Sequence, residues 1–301
     1  MVFKRMPSDD RFGVCYVATG GQFVKEANRS AERIDTVSPD TPCSIVTDEA
    51  STDIVSDVFD ELLTLSEPSF SWTDKPRGLA LSPYKRTLYL DSDTWVVSAD
   101  GLADLNTVLD RVPVAAAHGI IRSIAAKYES RPISPSPAPP TYPWFNTGVI
   151  AFRRDDANEL LTEWQQRHET YEQELAGIND QEAFRDAAYV SDACIHTIPP
   201  EYNYRVGNGF QYLNGPVRIL HGRLNEQSYR DIANTVNDER ALRDDGRSYR
   251  IVRVGEDAIA RRVGLTKTEY RLSRLFLSLS RRGLGTTASR VLDWIRGGRF
   301  H

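Results

Sequence analysis

The sequence predicts an α/β fold, a mostly parallel central sheet flanked by helices, with a basic amphipathic helical appendage at the C-terminal end. Three observations carry this. Short apolar runs alternate with helix-period segments through the first 120 residues, the pattern of strand–helix–strand units. Several of those runs are continuously apolar, such as Phe12–Ala18 (FGVCYVA), and read as buried strands. Residues 251–301 carry 11 Lys and Arg against 4 Asp and Glu, while the other 250 carry 26 against 38. The body is therefore acidic and the tail basic.

The elements follow in order. Phe12–Ala18 is a strand ending in the turn Thr19-Gly20-Gly21. Phe23, Ala27, Ala31 and Ile34 recur at helical spacing over 22–34. Cys43–Thr47 is the next strand, with Asp48 at its C-terminal end and a helix expected over 49–58. After Leu62–Leu65, Arg77–Leu81 reads as helical, and Thr87–Leu90 is a strand running into Asp91-Ser92-Asp93. Val112–Ala117 is a further strand. Arg131–Pro143 is a Pro/Ser-rich loop, either an inert excursion or a lid, and it leads into Phe145-Asn146-Thr147-Gly148 and the strand Val149–Phe152. Helices are expected over Asp155–Glu174 and Asn179–Tyr189, with late strands at Ile195–Ile198 and Val217–Leu220, the second ending in His221-Gly222. Amphipathic helices over Tyr270–Arg282 and Thr287–Ile295 close the chain. The expected organisation is a short tail (1–11), one α/β domain (12–240) and a basic helical region (241–301).

Composition excludes several classes. With 301 residues, 40% hydrophobic, the chain is long enough for one large α/β domain with an appendage, or for two domains. Three scattered cysteines (Cys15, Cys43, Cys194) make neither a disulfide framework nor a thiolate metal site, and suit a reducing compartment. The start, MVFKRMPSDD, has no apolar signal stretch, and prolines interrupt the longest uncharged run. A cytoplasmic protein without a transmembrane span is expected. The acidic body argues against nucleic acid as a partner, because a phosphate backbone needs a basic face.

In open α/β sheets ligands gather beyond the C-terminal ends of strands. Thr19-Gly20, Asp48 and Asp91–Asp93 all fall on that edge. Two carboxylates one residue apart after an apolar strand can together hold a hard divalent cation, Mg²⁺ or Mn²⁺, that bridges phosphate oxygens. Leu88–Thr94 (LYLDSDT) fits two families. It matches the motif of haloacid-dehalogenase-type phosphatases, in which Asp91 would be the nucleophile and Asp93 the acid/base. It also matches the metal-binding pair of nucleotide-sugar transferases of the GT-A fold. Ninety residues of strand–helix units precede it, and no Gly-Asp motif follows, which favours the second.

Over roughly 12–225 the sequence resembles GT-A glycosyltransferases, in particular family 8-like enzymes related to glycogenin and bacterial galactosyltransferases. The resemblance rests on an ordered series: Tyr16-Val17-Ala18-Thr19-Gly20, Pro42–Asp48, the block Lys75–Asp93, Phe145-Asn146-Thr147-Gly148-Val149, Asn179-Asp180-Gln181, Tyr202-Asn203 and Ile219-Leu220-His221-Gly222. Three positions depart from the family pattern: Thr147, the Pro-rich segment, and Arg223 where Lys is usual.

The resemblance implies a metal-dependent, retaining transfer of a sugar from a nucleoside-diphosphate donor, a UDP-sugar by default, to a glycan or lipid-linked acceptor. Asp91, Asp93 and His221 would hold Mn²⁺ (or Mg²⁺), and Asn146, Asp180 and Gln181 would surround the transferred sugar. Thr19 and Gly20 would offer backbone groups to base and ribose, Asp48 would face the base, and Ser92 the ribose. Lys75, Arg77 or Arg86 would add positive charge near the phosphates. Each has an ordinary structural alternative. Asp48 and Asp180 suit helix N-caps, Asn146 a turn, His221 a buried strand end, and the basic residues a solvated surface. A protein of this fold that binds nucleotide-sugar without turnover is a further possibility. For the tail, a peripheral membrane contact on anionic lipid stands beside simple packing on the domain.

Overall fold

The computed structural model describes residues 11–119, 136–139, 141–174, 177–191, 193–206, 211–213, 215–237, 250–254 and 260–262. The first half comprises β1 (Phe12–Val17), α1 (Gly21–Val37), β2 (Cys43–Thr47), β3 (Glu61–Thr64), α2 (Asp74–Leu79), β4 (Arg86–Leu90), β5 (Thr94–Val96), α3 (Ala99–Val108) and β6 (Val114–His118). The second comprises β7 (Phe145–Arg153), α4 (Arg154–Glu174), α5 (Gln181–Val190), β8 (Ile195–Ile198), β9 (Tyr204–Arg205), β10 (Gln211–Leu213), β11 (Ile219–His221), α6 (Glu226–Val236), β12 (Arg250–Val254) and β13 (Ala260–Arg262).

A seven-stranded sheet has the order β3-β2-β1-β4-β7-β6-β8. Strands β3, β2, β1 and β4 run parallel, as do β6 and β8, while β7 is antiparallel to both its neighbours. The expected mostly parallel sheet is present, with one reversed strand. An apolar run such as Val149–Phe152 is buried whichever way it points, so its direction is not written in its composition.

Both faces of the sheet are covered, which is why its strands read as continuous apolar runs. Val14, Tyr16, Leu88, Leu90, Val149 and Ala151 point into one core with Ala27, Ala31 and Ile34 of α1 and Leu102 and Leu105 of α3. Cys15, Tyr89, Ile150 and Phe152 point into the other, with Leu160, Trp164 and Phe184 of α4 and α5. The buried stripe of α1 runs through Val24, Ala27, Ala31 and Ile34; Phe23, expected on that face, is instead 40% exposed. Trp164 is fully buried, and its indole N–H donates to the Asp180 carbonyl at 3.1 Å. Truncating such a residue costs about 3–5 kcal/mol, so α4 is a rigid support for the start of α5.

Some boundaries differ from the sequence reading. The helix expected over 49–58 is a 3-10 helix, Glu49–Ile54, and the one read at Arg77–Leu81 is α2, beginning three residues earlier. Phe145–Gly148 lies within β7 and is not a turn. The described end of the Pro-rich segment is fastened to α5. Arg185 donates to the carbonyls of Ala138, Pro139 and Tyr142, and its guanidinium lies 5.2 Å from the Trp144 ring centroid.

Among the described residues two small sheets accompany the large one, β5-β11-β9 and β10-β12-β13. In the first, β5 and β11 are antiparallel in the register Thr94↔His221. In the second, β12 pairs with β10 and β13. The region beyond 240, expected to be helical, therefore contains two strands. The amphipathic helices expected at 270–282 and 287–295 lie outside the described residues. Among the described residues no helix is long and apolar enough to cross a membrane.

Candidate active site

At the C-terminal end of β4 the chain leaves the large sheet through Asp91-Ser92-Asp93 and enters β5 of the small one. The turn is closed by Thr94, whose N–H and hydroxyl both donate to the Asp91 carbonyl, at 3.1 Å and 2.8 Å. The β5–β11 register then places His221 opposite Thr94. A second tie, from the Gly222 N–H to the Asp93 carbonyl at 2.9 Å, holds the strand end in place. As a result, one ligand atom from each of Asp91, Asp93 and His221 lies within 4.8 Å of the other two.

His221 is 3% exposed, and hydrogen bonds assign its tautomer. The backbone N–H of Gly148, a donor without ambiguity, gives 3.0 Å to Asn146 Oδ1. That oxygen also accepts from Asn203 Nδ2 at 2.7 Å, so the other amide atom of Asn203 is its acceptor oxygen. Asn203 Oδ1 lies 2.8 Å from His221 Nδ1, which must therefore carry the proton when the ring is neutral. Nε2 then presents a lone pair to Asp93 Oδ1 at 3.3 Å and Asp91 Oδ2 at 3.5 Å. Three lone-pair donors converging on one point fit a cation. Two carboxylates with one imidazole form a mixed O/N set that can hold a divalent cation, and Asn203 orients the imidazole as metal-binding histidines require.

Burial pushes the Asp93 pKa up, but the imidazolium form of His221, which donates from Nε2 where the neutral ring offers a lone pair, brings it down to about 2 together with the charges of Arg223 and Arg205. Asp91 Oδ1 accepts from the Tyr89 hydroxyl and lies 3.0 Å from Lys75 Nζ.

Lys75 lies at the site, in a different role from the one expected. It is 8% exposed, with Nζ 2.9 Å from Asp180 Oδ2, 3.0 Å from Asp91 Oδ1 and 3.4 Å from Thr147 Oγ1. An ammonium has three donors, and these three partners use them. Burial alone would lower its pKa, but Asp180 and Asp91 more than reverse this and raise it. Lys75 is a fixed bridge between two carboxylates and does not reach out for a phosphate.

The remaining expected residues divide. Asp180 is brought to the site by Lys75; it stands at the N-cap position of α5 without a side-chain capping bond. Gln181 enters only as the next residue, its backbone N–H donating to Asn179 Oδ1 at 3.1 Å. Asn146 joins the site through Asn203, its carbonyl oxygen already accepting twice. Ser92 donates its hydroxyl to Glu26 Oε2 at 3.0 Å. The Thr19 hydroxyl donates to Asp74 Oδ2 at 2.8 Å. Both backbone groups of Gly20 are engaged, the N–H by Asp48 Oδ2 at 2.6 Å and the carbonyl by the amides of Phe23 and Val24. Gly20 thus has no backbone group to offer a base or ribose. Burial of Asp48 raises its pKa, yet its hydrogen bonds, led by the Gly20 amide, hold it below the ordinary value.

Arg86 and Arg77 are corrections. Arg86 opens β4, at the end of the strand opposite Asp91, and binds Asn106 and Asp110. Arg77 turns to Asp74 and to the carbonyls of Ser66 and Glu67. Their spacing from the motif placed neither of them, because one strand separates the two edges of a sheet.

Three contributors went unassigned in the sequence reading. Asn203 and Gly148 lie inside quoted motifs without a role, and Asp74 in none. A glycine inside an apolar strand signals close approach of another group, and Gly148 is a case of it.

No family model matches the sequence, and no curated protein is similar to it. Solved structures of several glycosyltransferases are similar in fold. Mouse xyloside xylosyltransferase 1, in its apo form, covers 71% of this chain and 98% of its own at 12% identity, with a TM-score of 0.49. LgtC, a galactosyltransferase solved with donor and acceptor sugar analogues, covers 76% and 93% at 14% identity, with a TM-score of 0.46. The bifunctional glycosyltransferase WbbM, in its apo form, covers 68% of this chain but 42% of its own, at 16% identity and a TM-score of 0.46. At such scores the functional reading rests on the geometry of the site.

Proposed function

We propose that the chain is a divalent-metal-dependent glycosyltransferase. It moves a sugar from a nucleoside-diphosphate donor, a UDP-sugar in the first instance, to a glycan or lipid-linked acceptor with retention of configuration. The observation that carries this reading is the convergence of Asp91, Asp93 and the His221 Nε2 lone pair at the C-terminal edge of a mostly parallel sheet, in a chain whose motifs follow the family 8 order.

Asp91, Asp93 and His221 would hold Mn²⁺ or Mg²⁺, which when bound neutralises charge on the departing diphosphate. Lys75 sets the spacing of Asp91 and Asp180. Asp180, paired with that ammonium at 2.9 Å, is the group to steady positive charge developing on the transferred sugar. The basic tail, net +7 over 251–301, supports a contact with anionic lipid that would bring the enzyme to a lipid-linked acceptor.

The test is thermal stabilisation by a panel of nucleoside diphosphates and nucleotide sugars, with Mn²⁺ and with EDTA, on wild type and Asp93→Ala. A ligand at 100 times its Kd adds about 2.7 kcal/mol. Stabilisation by one nucleotide, dependent on both metal and Asp93, supports the reading and identifies the base. A shift by beryllofluoride and by no nucleotide would replace it with a phosphohydrolase using Asp91 as nucleophile. Metal-dependent nucleotide-sugar binding with no turnover on any acceptor would leave a binding protein.

A further inference from the structure

Tyr229 lies buried in α6, outside every motif quoted above, and its hydroxyl ends between the two backbones that carry Asp93 and His221. It donates to the carbonyl of Asp93 itself at 3.0 Å, and to the carbonyl of Gly222, the residue after His221. The Asp93 carbonyl also takes the Gly222 N–H at 2.9 Å. Two acceptors therefore face the single proton of one phenol. Burial pushes that phenol up to about 12, so it stays a donor wherever the carboxylates are ionised. Without the hydroxyl the Gly222 carbonyl loses its donor, and the tie between the two backbones is reduced to one amide.

The ring that carries this hydroxyl is itself held. It stacks on Trp95 of β5, the centroids 5.2 Å apart and the planes 6° from parallel, and Trp95 stands opposite Leu220 in the β5–β11 register. Arg33 of α1 places its guanidinium 5.2 Å from the Trp95 centroid and donates to the Val96 and Val97 carbonyls at 2.9 Å each. Asn225 caps α6 by accepting the Ser228 N–H at 2.8 Å, which fixes where the helix starts after His221. Three elements thus aim one hydroxyl at the Asp93–His221 half of the site. Asp91 is held separately, by the Gly148 carbonyl, Tyr89 and Lys75.

We propose that Tyr229 is a positioning residue for the divalent cation: its hydroxyl holds the Asp93 and His221 backbones at the separation that lets Asp93 Oδ1 and His221 Nε2 share one ion. This rests on the metal site of the proposed function and adds a residue to it. Donors already held in place lose less freedom on binding, and the saving is read as affinity. Tyr229 acts through the two ligands and makes no bond to the ion.

The experiment is Mn²⁺ titration of the full chain, read by electron paramagnetic resonance, on wild type, Tyr229→Phe, the 4-aminophenylalanine variant of Tyr229, and Asp93→Ala. Phe keeps the ring and its stack on Trp95 and deletes one hydroxyl, a loss small against the stability of a domain, so the variant folds. Its Mn²⁺ affinity should fall about tenfold, the lower end for a residue supporting a metal ligand. The arylamine again offers N–H to the two carbonyls and should restore that affinity. Urea melts in EDTA and in saturating Mn²⁺ give a second readout. The Phe variant should lose more stability with the ion than without it, because a weaker ion stabilises the fold less. Equal losses in the two melts with unchanged affinity would overturn the proposal and leave Tyr229 as a contact of the fold alone. So would a weakened affinity that the arylamine does not restore. If wild type binds no Mn²⁺, or Asp93→Ala binds it as tightly as wild type, the metal reading of the trio itself fails, and the role of Tyr229 with it.

Discussion

Gly148 and His221 approach so closely that a Cβ on Gly148 would stand 2.0 Å from His221 Cε1, with Asp91 Oδ2 at 2.8 Å. Gly148 also supplies the carbonyl that accepts the Asp91 N–H at 2.9 Å. One residue of β7 thus positions Asp91 and leaves room for the imidazole.

Gly148→Ala forces the imidazole out of its place. We expect Mn²⁺ affinity to fall by about 100-fold, the upper end for residues supporting a metal ligand. Overpacking should cost roughly 1–3 kcal/mol of stability. Mn²⁺ titration followed by electron paramagnetic resonance, beside a urea melt, separates the two effects. Wild-type affinity in a folded variant would mean the ion does not bind at this trio.

Asn203 transmits the Gly148 N–H to the imidazole. Nitrogen-15 NMR of the metal-free protein should show neutral His221 protonated at Nδ1. In Asn203→Ala that preference should be lost and Mn²⁺ affinity should drop about 10- to 100-fold. A wild-type ring protonated at Nε2 would refute the relay.

Lys75→Met leaves Asp91 and Asp180 without their shared cation. Breaking a buried pair by removing one partner costs about 3–5 kcal/mol, and urea denaturation at pH 7 should show a loss of that size. Adding Asp180→Asn to that variant removes one of the two stranded charges and should recover part of the loss. No recovery would point to lost packing instead.

The depressed pKa of Asp93 has a signed consequence for stability. Its carboxyl titrates near 3.8 as an ordinary group and at about 2 in the fold, so the native state binds fewer protons in that window. The stabilisation is complete above pH 4, decays as pH falls toward 2, and amounts to roughly 2 kcal/mol. Asp48, also lowered, acts in the same direction. In EDTA, Asp93→Asn should flatten the acid limb of the stability curve between pH 4 and 2; an unchanged slope would exclude Asp93 as a source of that dependence.

Much of the architecture is legible along the chain, because a strand buried on both faces must be a continuous apolar run and a helix against it must repeat its small apolar residues. Val14–Val17, Ile45–Thr47 and Leu88–Leu90 announce themselves in this way, and Asp91-Ser92-Asp93 follows the last of them onto the ligand edge. Arg86 shows the limit. It is five residues from Asp91, yet the length of β4 lies between them. Phe23 shows another, since Phe23 and Val24 differ by one position on α1 and only packing decided that Val24 goes inside.

The sequence by itself determined the kinds of elements, their order, and the residue types able to hold a cation, because these depend on periodicity and side-chain chemistry. Tertiary structure alone decided that β7 runs backwards, that Lys75 bridges two carboxylates, and that His221 presents Nε2 to the acidic pair. Each of these depends on groups far apart in the chain meeting within hydrogen-bond distance: Gly148 with Asn203 and His221, Lys75 with Asp180, Asp74 with Thr19. Such contacts have a short range in space and no fixed spacing in sequence, so only the folded chain brings them into being.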